Sequence, residues 1–126
     1  MLEMFSFDAT VPLHLFEYGL KTDRTEQHWH SFYEIGYCFE GRGSFFIGEE
    51  VVPIEAGTLL LFPPYEPHIA TAEEDGGCRC AFAYFGEALL PPEHGRLLRA
   101  FMRPGAWNEA RLRERLPGLP PLAPLF

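Results

Sequence analysis

Residues 28–41 read HWHSFYEIGYCFEG and residues 57–68 read GTLLLFPPYEPH. His28 and His30 are two apart, so on an extended segment both point to the same side, because side chains alternate faces along a strand. Glu34 lies four residues beyond His30, with Gly41 after six more, and His68 closes the second stretch as Gly57-x5-Pro63-x4-His68. Glu34 and His68 can join the two histidines. Three imidazoles and one carboxylate form a nitrogen and oxygen donor set that suits a divalent transition ion (Zn, Mn, Fe or Ni) rather than calcium or magnesium.

Working outward, the chain reads as short strands separated by turns. Residues 11–20 (VPLHLFEYGL) predict a first strand and residues 21–27 (KTDRTEQ) a solvated loop. Residues 34–40 alternate well enough for a half-buried strand, and Gly41-Arg42-Gly43 predicts a tight turn, since glycine supplies the positive φ a hairpin needs. Residues 44–47 and 51–54 flank a second turn at 48–50, and Pro53, which cannot donate a ladder hydrogen bond, belongs on an edge or at a bulge. Residues 58–62 (TLLLF), 67–73 (PHIATAE) and 78–85 (CRCAFAYF) complete the set. Seven or eight such strands indicate a sandwich or a closed jelly-roll barrel. Tyr37, Cys38, Phe82 and Tyr84 are candidates for the wall of its interior pocket.

The pattern changes after Pro91-Pro92. Residues 93–103 place Leu97, Leu98 and Phe101 on one helical face. Asn108 can cap a second helix, on which Leu112 and Leu116 lie four apart on one side. Residues 117–124 (PGLPPLAP) are too rich in proline for a helix and predict an extended tail. The expected organisation is therefore a β-barrel over residues 1–90, a helical segment over 91–116 and a tail or linker over 117–126.

With 126 residues and 47% hydrophobic side chains, the chain is one domain with enough apolar material for a core. Residues 1–90 carry 4 basic and 15 acidic side chains, whereas residues 91–126 carry 6 basic and 3 acidic. So acidic a barrel is a poor direct binder of nucleic acid. No apolar run of 18 residues occurs, and the N-terminus lacks a basic start followed by an apolar stretch, so a cytoplasmic protein without a membrane partner is expected. Cys38, Cys78 and Cys80 are an odd number and make no disulfide framework; Cys78 and Cys80 share a strand face, where packing is the simpler role.

The spacing His28-x-His30-x3-Glu34-x6-Gly41 with Gly57-x5-Pro63-x4-His68 resembles the two signature motifs of the cupin superfamily. The surrounding wording, HWHSFYEIGYCFEGRGSFFIG and AGTLLLFPPYEPH, resembles the N-terminal sensor domain of AraC-type bacterial transcription regulators. This resemblance covers roughly residues 10–116. It implies an all-β, cupin-like jelly-roll barrel followed by one or two α-helices, a small-molecule effector held inside the barrel, and a homodimer formed through the helices. It also implies contact with DNA through a helix-turn-helix domain absent from these 126 residues. Three departures weigh against a cupin enzyme more than against a metal. Thr22 stands where cupin enzymes usually have glycine, Tyr65 replaces the middle glycine of the second motif, and Ala72 replaces its late asparagine.

Two readings of the four donors follow. In one, His28, His30, Glu34 and His68 hold a metal whose open positions take water or effector oxygens; in the other, they contact the effector directly. A regulatory sensor is the first expectation, and a stand-alone metal-dependent cupin enzyme, a dioxygenase or an isomerase, is the alternative.

Overall fold

A computed structural model describes residues 12–22 and 27–126. Residue 11 and most of the predicted loop at 21–27 therefore lie outside the described residues, as does the side chain of Phe101. Among the described residues seven strands form: β1 (Leu13–Gly19), β2 (Tyr33–Ile47), β3 (Glu50–Glu55), β4 (Thr58–Phe62), β5 (His68–Ala72), β6 (Cys78–Phe85) and β7 (Gly105–Asn108). Two helices follow the sixth strand, α1 (Pro92–Phe101) and α2 (Glu109–Arg115).

The organising element is β2, 15 residues long. Its first half pairs antiparallel with β6 on one side and β4 on the other, within the order β1-β6-β2-β4-β7. Its second half pairs with β3 and β5. The two halves thus belong to facing sheets, and the core lies between them: Cys38, Phe45, Ile54, Leu60, Phe62, Cys78, Cys80 and Phe82 are all buried there. The class is all-β and cupin-like, with the helices at the C-terminal end, but among the described residues no ladder closes the sheet on itself. Pro53 sits on β3, whose described pairing is to β2 alone, the edge position expected of it.

The predicted turn at Gly41-Arg42-Gly43 is not a turn. A bulge between Cys38 and Glu40 bends β2, and the strand runs on through both glycines. The glycines are needed for close approach: a Cβ on Gly41 would lie 1.6 Å from the Gly77 carbonyl oxygen, and one on Gly43 would lie 2.1 Å from that of Thr71. The second motif keeps its backbone shape without its glycine. Tyr65 takes φ 67°, and its N–H donates to the His30 carbonyl at 2.7 Å. A non-glycine residue pays steric strain in that region, and here the strain joins the two motifs.

Asn108 caps α2 as expected, its Oδ1 accepting from the Arg111 N–H at 3.2 Å. Residues 105–108, which fall between the two helices expected within 91–116, add β7 to the free edge of β4. The last ten residues also depart from the extended tail expected of them. They fold back on α2: Leu122 is buried, a 3-10 turn forms at Ala123–Leu125, and Phe126 stacks on Tyr37 with ring centroids 5.7 Å apart. Glu109 is the clasp. Its carboxylate accepts from the Tyr37 hydroxyl at 2.6 Å, the Leu122 N–H at 2.7 Å and Arg113 at 3.1 Å, while Arg113 also donates to the carbonyls of Leu119 and Pro120.

These donors, the Tyr37 hydroxyl first, hold the Glu109 carboxyl below the usual carboxylate range. Burial, and then the bond to Glu109, pushes the Tyr37 phenol up to about 12. A depressed carboxyl stabilises the fold above its unfolded value of about 4.3 and loses that contribution as pH falls through its folded value. A raised phenol contributes below about 10 and loses its contribution as pH rises through its folded value. The tail should therefore be held from about pH 5 to pH 10 and released in acid. Hydrogen exchange at the Leu122 amide should show protection collapsing below about pH 4; equal protection at pH 3 and pH 7 would refute the clasp.

Candidate metal and effector site

The four donors come from three parts of the chain. His28 and His30 lie on the extended segment before β2, Glu34 is the second residue of β2, and His68 begins β5. Backbone bonds of 3.0 Å in both directions between His28 and His68 clamp the segment to β5, so the two imidazoles are cross-strand neighbours. Their ring centroids are 4.5 Å apart, and that of His30 lies 5.0 Å from that of His68. One nitrogen from each of the three rings falls within 4.8 Å of the others. Glu34 adjoins two of the three, with Oε2 3.2 Å from His68 Nε2 and Oε1 3.9 Å from His30 Nε2, so the structure converges the histidines most closely and sets the carboxylate beside them. His30, Glu34 and His68 are buried and His28 is half-buried.

The ring orientations are fixed from behind. His30 Nδ1–H donates to the Phe32 carbonyl at 2.9 Å, and His68 Nδ1–H donates to the Glu66 carbonyl at 2.6 Å. Phe32 stacks on His30 and Phe62 on His68, each with centroids 4.1 Å apart. Backbone carbonyls behind the imidazoles are how metal-binding histidines are usually oriented, because they set the tautomer and turn Nε2 toward the centre. With its Nδ1 proton so committed, a neutral His68 presents a lone pair to the Glu34 carboxylate. Two acceptors at 3.2 Å repel unless a positive charge lies between them, either a proton on Nε2 or a shared cation. The donor set therefore fits a divalent transition ion.

A cavity of about 370 Å³ adjoins the cluster, and His28, Glu34 and His68 form part of its lining. Phe16, Phe45, Phe82 and Ile69 supply apolar walls, and Tyr18, Tyr84 and Lys21 add polar tips. Of the pocket-wall candidates, Phe82 and Tyr84 line this cavity, while Tyr37 and Cys38 do not. Tyr37 faces the opposite side of β2, under the tail, and Cys38 lies in the core. Adjacent residues on a strand face opposite ways, which already forbids both from facing one pocket. Phe16, Tyr18 and Lys21 went unnoticed in the sequence because nothing local shows that β1 packs beside β6.

A wider cleft of about 650 Å³ lies away from the histidines, between β3 and the β7–α2 corner, and is lined by Arg42, Glu55, Trp107, Arg111 and Arg115. Leu112 lines it too and so faces the barrel. Leu97 and Leu116 are exposed and Leu98 is half-buried. Among the described residues, no helix is long and apolar enough to cross a membrane.

Residues 11–114 match a family described as the AraC-like ligand binding domain. A comparison with curated proteins gives no match. Among solved structures, apo ToxT K231A from Vibrio cholerae strain SCE256 is similar at TM-score 0.58 and 12% identity, covering 87% of this chain and 48% of that one. A cupin 2 conserved barrel domain protein from Salinispora arenicola CNS-205 is similar at TM-score 0.53 and 17% identity, with 75% and 78% covered. A Bacillus subtilis oxalate decarboxylase, described for its Mn(II) centres, is similar at TM-score 0.52 and 20% identity, with 88% and 32% covered. This chain thus spans about half of the ToxT chain and about a third of the decarboxylase. At these identities the structural likeness establishes the cupin-like fold.

Proposed function

The chain belongs to the AraC-like ligand binding domain family, and from that premise we propose that it is the sensor of a transcription regulator, taking a small effector into the cavity beside the histidines. The observation that carries this reading is the joining of a buried, oriented donor set to an apolar-walled cavity at the small end of the usual ligand-pocket range. The effector is a small molecule with an oxygen-bearing head and an apolar body. His28, His30, Glu34 and His68 receive the head, Phe16 and Phe82 pack the body, and Lys21 at the rim favours an anionic group.

The same four residues would hold a divalent ion, which would add positive charge and open positions for the effector's oxygens. Dimerisation through the exposed leucines Leu97 and Leu116, and DNA contact through a domain outside these residues, complete the proposal. For an effector to signal, it must bind two arrangements of the helices with different affinity.

The enzyme reading uses the same donors and gains some support from the cavity's Tyr18, Tyr84 and Lys21, which can carry protons. One experiment separates the readings. Small carboxylic acids are screened by thermal shift against the protein and its Phe82→Trp variant, with and without Mn(II) or Zn(II). A compound at a hundredfold excess over its Kd should raise the Tm of the native chain by roughly 10 °C, and that of Phe82→Trp far less. Conversion of the same compound, detected by mass spectrometry, would decide for the enzyme. Equal shifts in both proteins would place the effector elsewhere.

A further inference from the structure

The bulge in β2 brings Cys38 beside two cysteines of β6. Cys38 stands opposite Cys80 in the ladder, and Cys78 stands opposite Gly41. The sulfur of Cys78 lies 3.5 Å from that of Cys38 and 4.0 Å from that of Cys80, and all three fall within 4.8 Å of one another. Each of the three residues is 0% exposed. The three sulfurs are the only side-chain ligands of the group, the Cys38 thiol also reaches the Glu40 carbonyl at 3.5 Å, and the other surroundings are core residues such as Leu20, Phe45, Leu60 and Phe82. We propose that Cys38, Cys78 and Cys80 form a second site, a three-thiol receptor for a trivalent thiophilic metalloid, of which arsenite is the simplest form.

Spacing, coordination number and charge support this choice. Three sulfurs held by a pyramidal centre at about 2.3 Å, the length of a zinc–thiolate bond, stand about 3.5 Å apart, so the Cys38–Cys78 pair already fits and Cys80 need only move inward by a fraction of an ångström to about one ångström. Zinc prefers four ligands, and three thiolates around it would leave a net negative charge in an apolar core. Around copper(I) that charge is larger still. A trivalent centre with three thiolates is neutral, and burying a neutral complex avoids the desolvation cost of an ion. Arsenous acid is itself uncharged near neutral pH, which eases its passage into a closed interior.

The step is a ligand exchange without oxidation or reduction. As(OH)3 and three thiols give As(S-Cys)3 and three waters. Three As–O and three S–H bonds break, three As–S bonds form, and each thiol proton leaves on a departing hydroxide. Hydrogen bonding among the three, with Cys78 first, draws the Cys38 thiol below the usual range, which favours loss of a thiol proton within the cluster. A disulfide is the weaker reading, since it would use two sulfurs, leave the third, and require an oxidant to reach a closed interior.

The test uses the reduced protein and sodium arsenite. One arsenic per chain should be retained through gel filtration, X-ray absorption should show three sulfur neighbours, and Tm should rise by roughly 10 °C at a hundredfold excess over Kd. Cys80→Ala, or Cys38→Ser should the first variant fail to fold, should weaken retention at least a hundredfold. His68→Ala should leave it unchanged, which keeps this site separate from the histidine cluster. No retention, fewer than three sulfurs, or preferential retention of zinc(II) or copper(I) at equal concentration would overturn the proposal.

Discussion

Alanine at position 68 should weaken divalent-ion binding by roughly a hundredfold or more. Even residues that only orient a ligand typically cost 10- to 100-fold when changed, and His68 is proposed as a ligand itself. Its ring is gripped by the Glu66 carbonyl behind and Phe62 alongside, and its free nitrogen faces Glu34 at 3.2 Å. Removing it takes away one imidazole, and it also leaves the Glu34 carboxylate without its nearest cationic or cation-sharing neighbour. Glu34→Gln, which keeps the shape and removes the charge, should fall between the native protein and His68→Ala. Isothermal titration with Mn(II) and Zn(II) measures all three. Native chain that takes up neither ion, or His68→Ala that binds as tightly as the native chain, would leave direct effector contact as the role of the cluster.

The second large effect concerns folding. Gly41 and Gly57 have nearly the same backbone angle, φ 87° and 88°, yet a Cβ at Gly57 meets nothing within 4 Å whereas one at Gly41 lies 1.6 Å from a backbone oxygen of Gly77. Gly57→Ala should therefore cost only the left-handed strain, about 1–2 kcal/mol. Gly41→Ala adds an overlap that no side-chain rotation relieves, so β2 or the turn before β6 must move, and the total should reach about 4 kcal/mol or more. A domain of this size holds only about 5–15 kcal/mol in reserve, so the variant should be near its folding limit at 37 °C. Comparing the urea midpoints isolates the contact, because the angle is shared. Equal midpoints would mean that β2 and the residues before β6 are not packed as described.

The two glycines also show where reading from sequence stopped. Gly41-Arg42-Gly43 has the composition of a reversal, and the feature that makes it a crossing, the backbones of Gly77 and Thr71 pressed against it, lies about thirty residues away. The histidine and glutamate set was legible because its spacing is local within each motif, and strand alternation constrains the rest. The strand at 78–85 and the Asn108 cap were legible for similar reasons: one is an aromatic-rich run, apolar except for Arg79 and bounded by glycines, the other a side-chain oxygen placed before a helical pattern. Glu109 was not. An acidic residue in a first helical turn already has a sufficient explanation in the helix dipole, and only the folded tail reveals its other partners. The three cysteines were split by the same limit, since the bulge that brings Cys38 to Cys78 has no signature in the chain.

Because β2 contributes hydrogen bonds to both facing sheets, neither sheet is a separable melting unit. Loss of the β3 and β5 pairings would free the half that carries Phe45, and loss of the β4 and β6 pairings would free the half that carries Glu34, yet both halves are one strand. The amides of Tyr37 and Phe45, on opposite halves of one strand, should exchange with solvent in a single all-or-none opening, and calorimetry should record one peak whose van't Hoff and measured enthalpies agree.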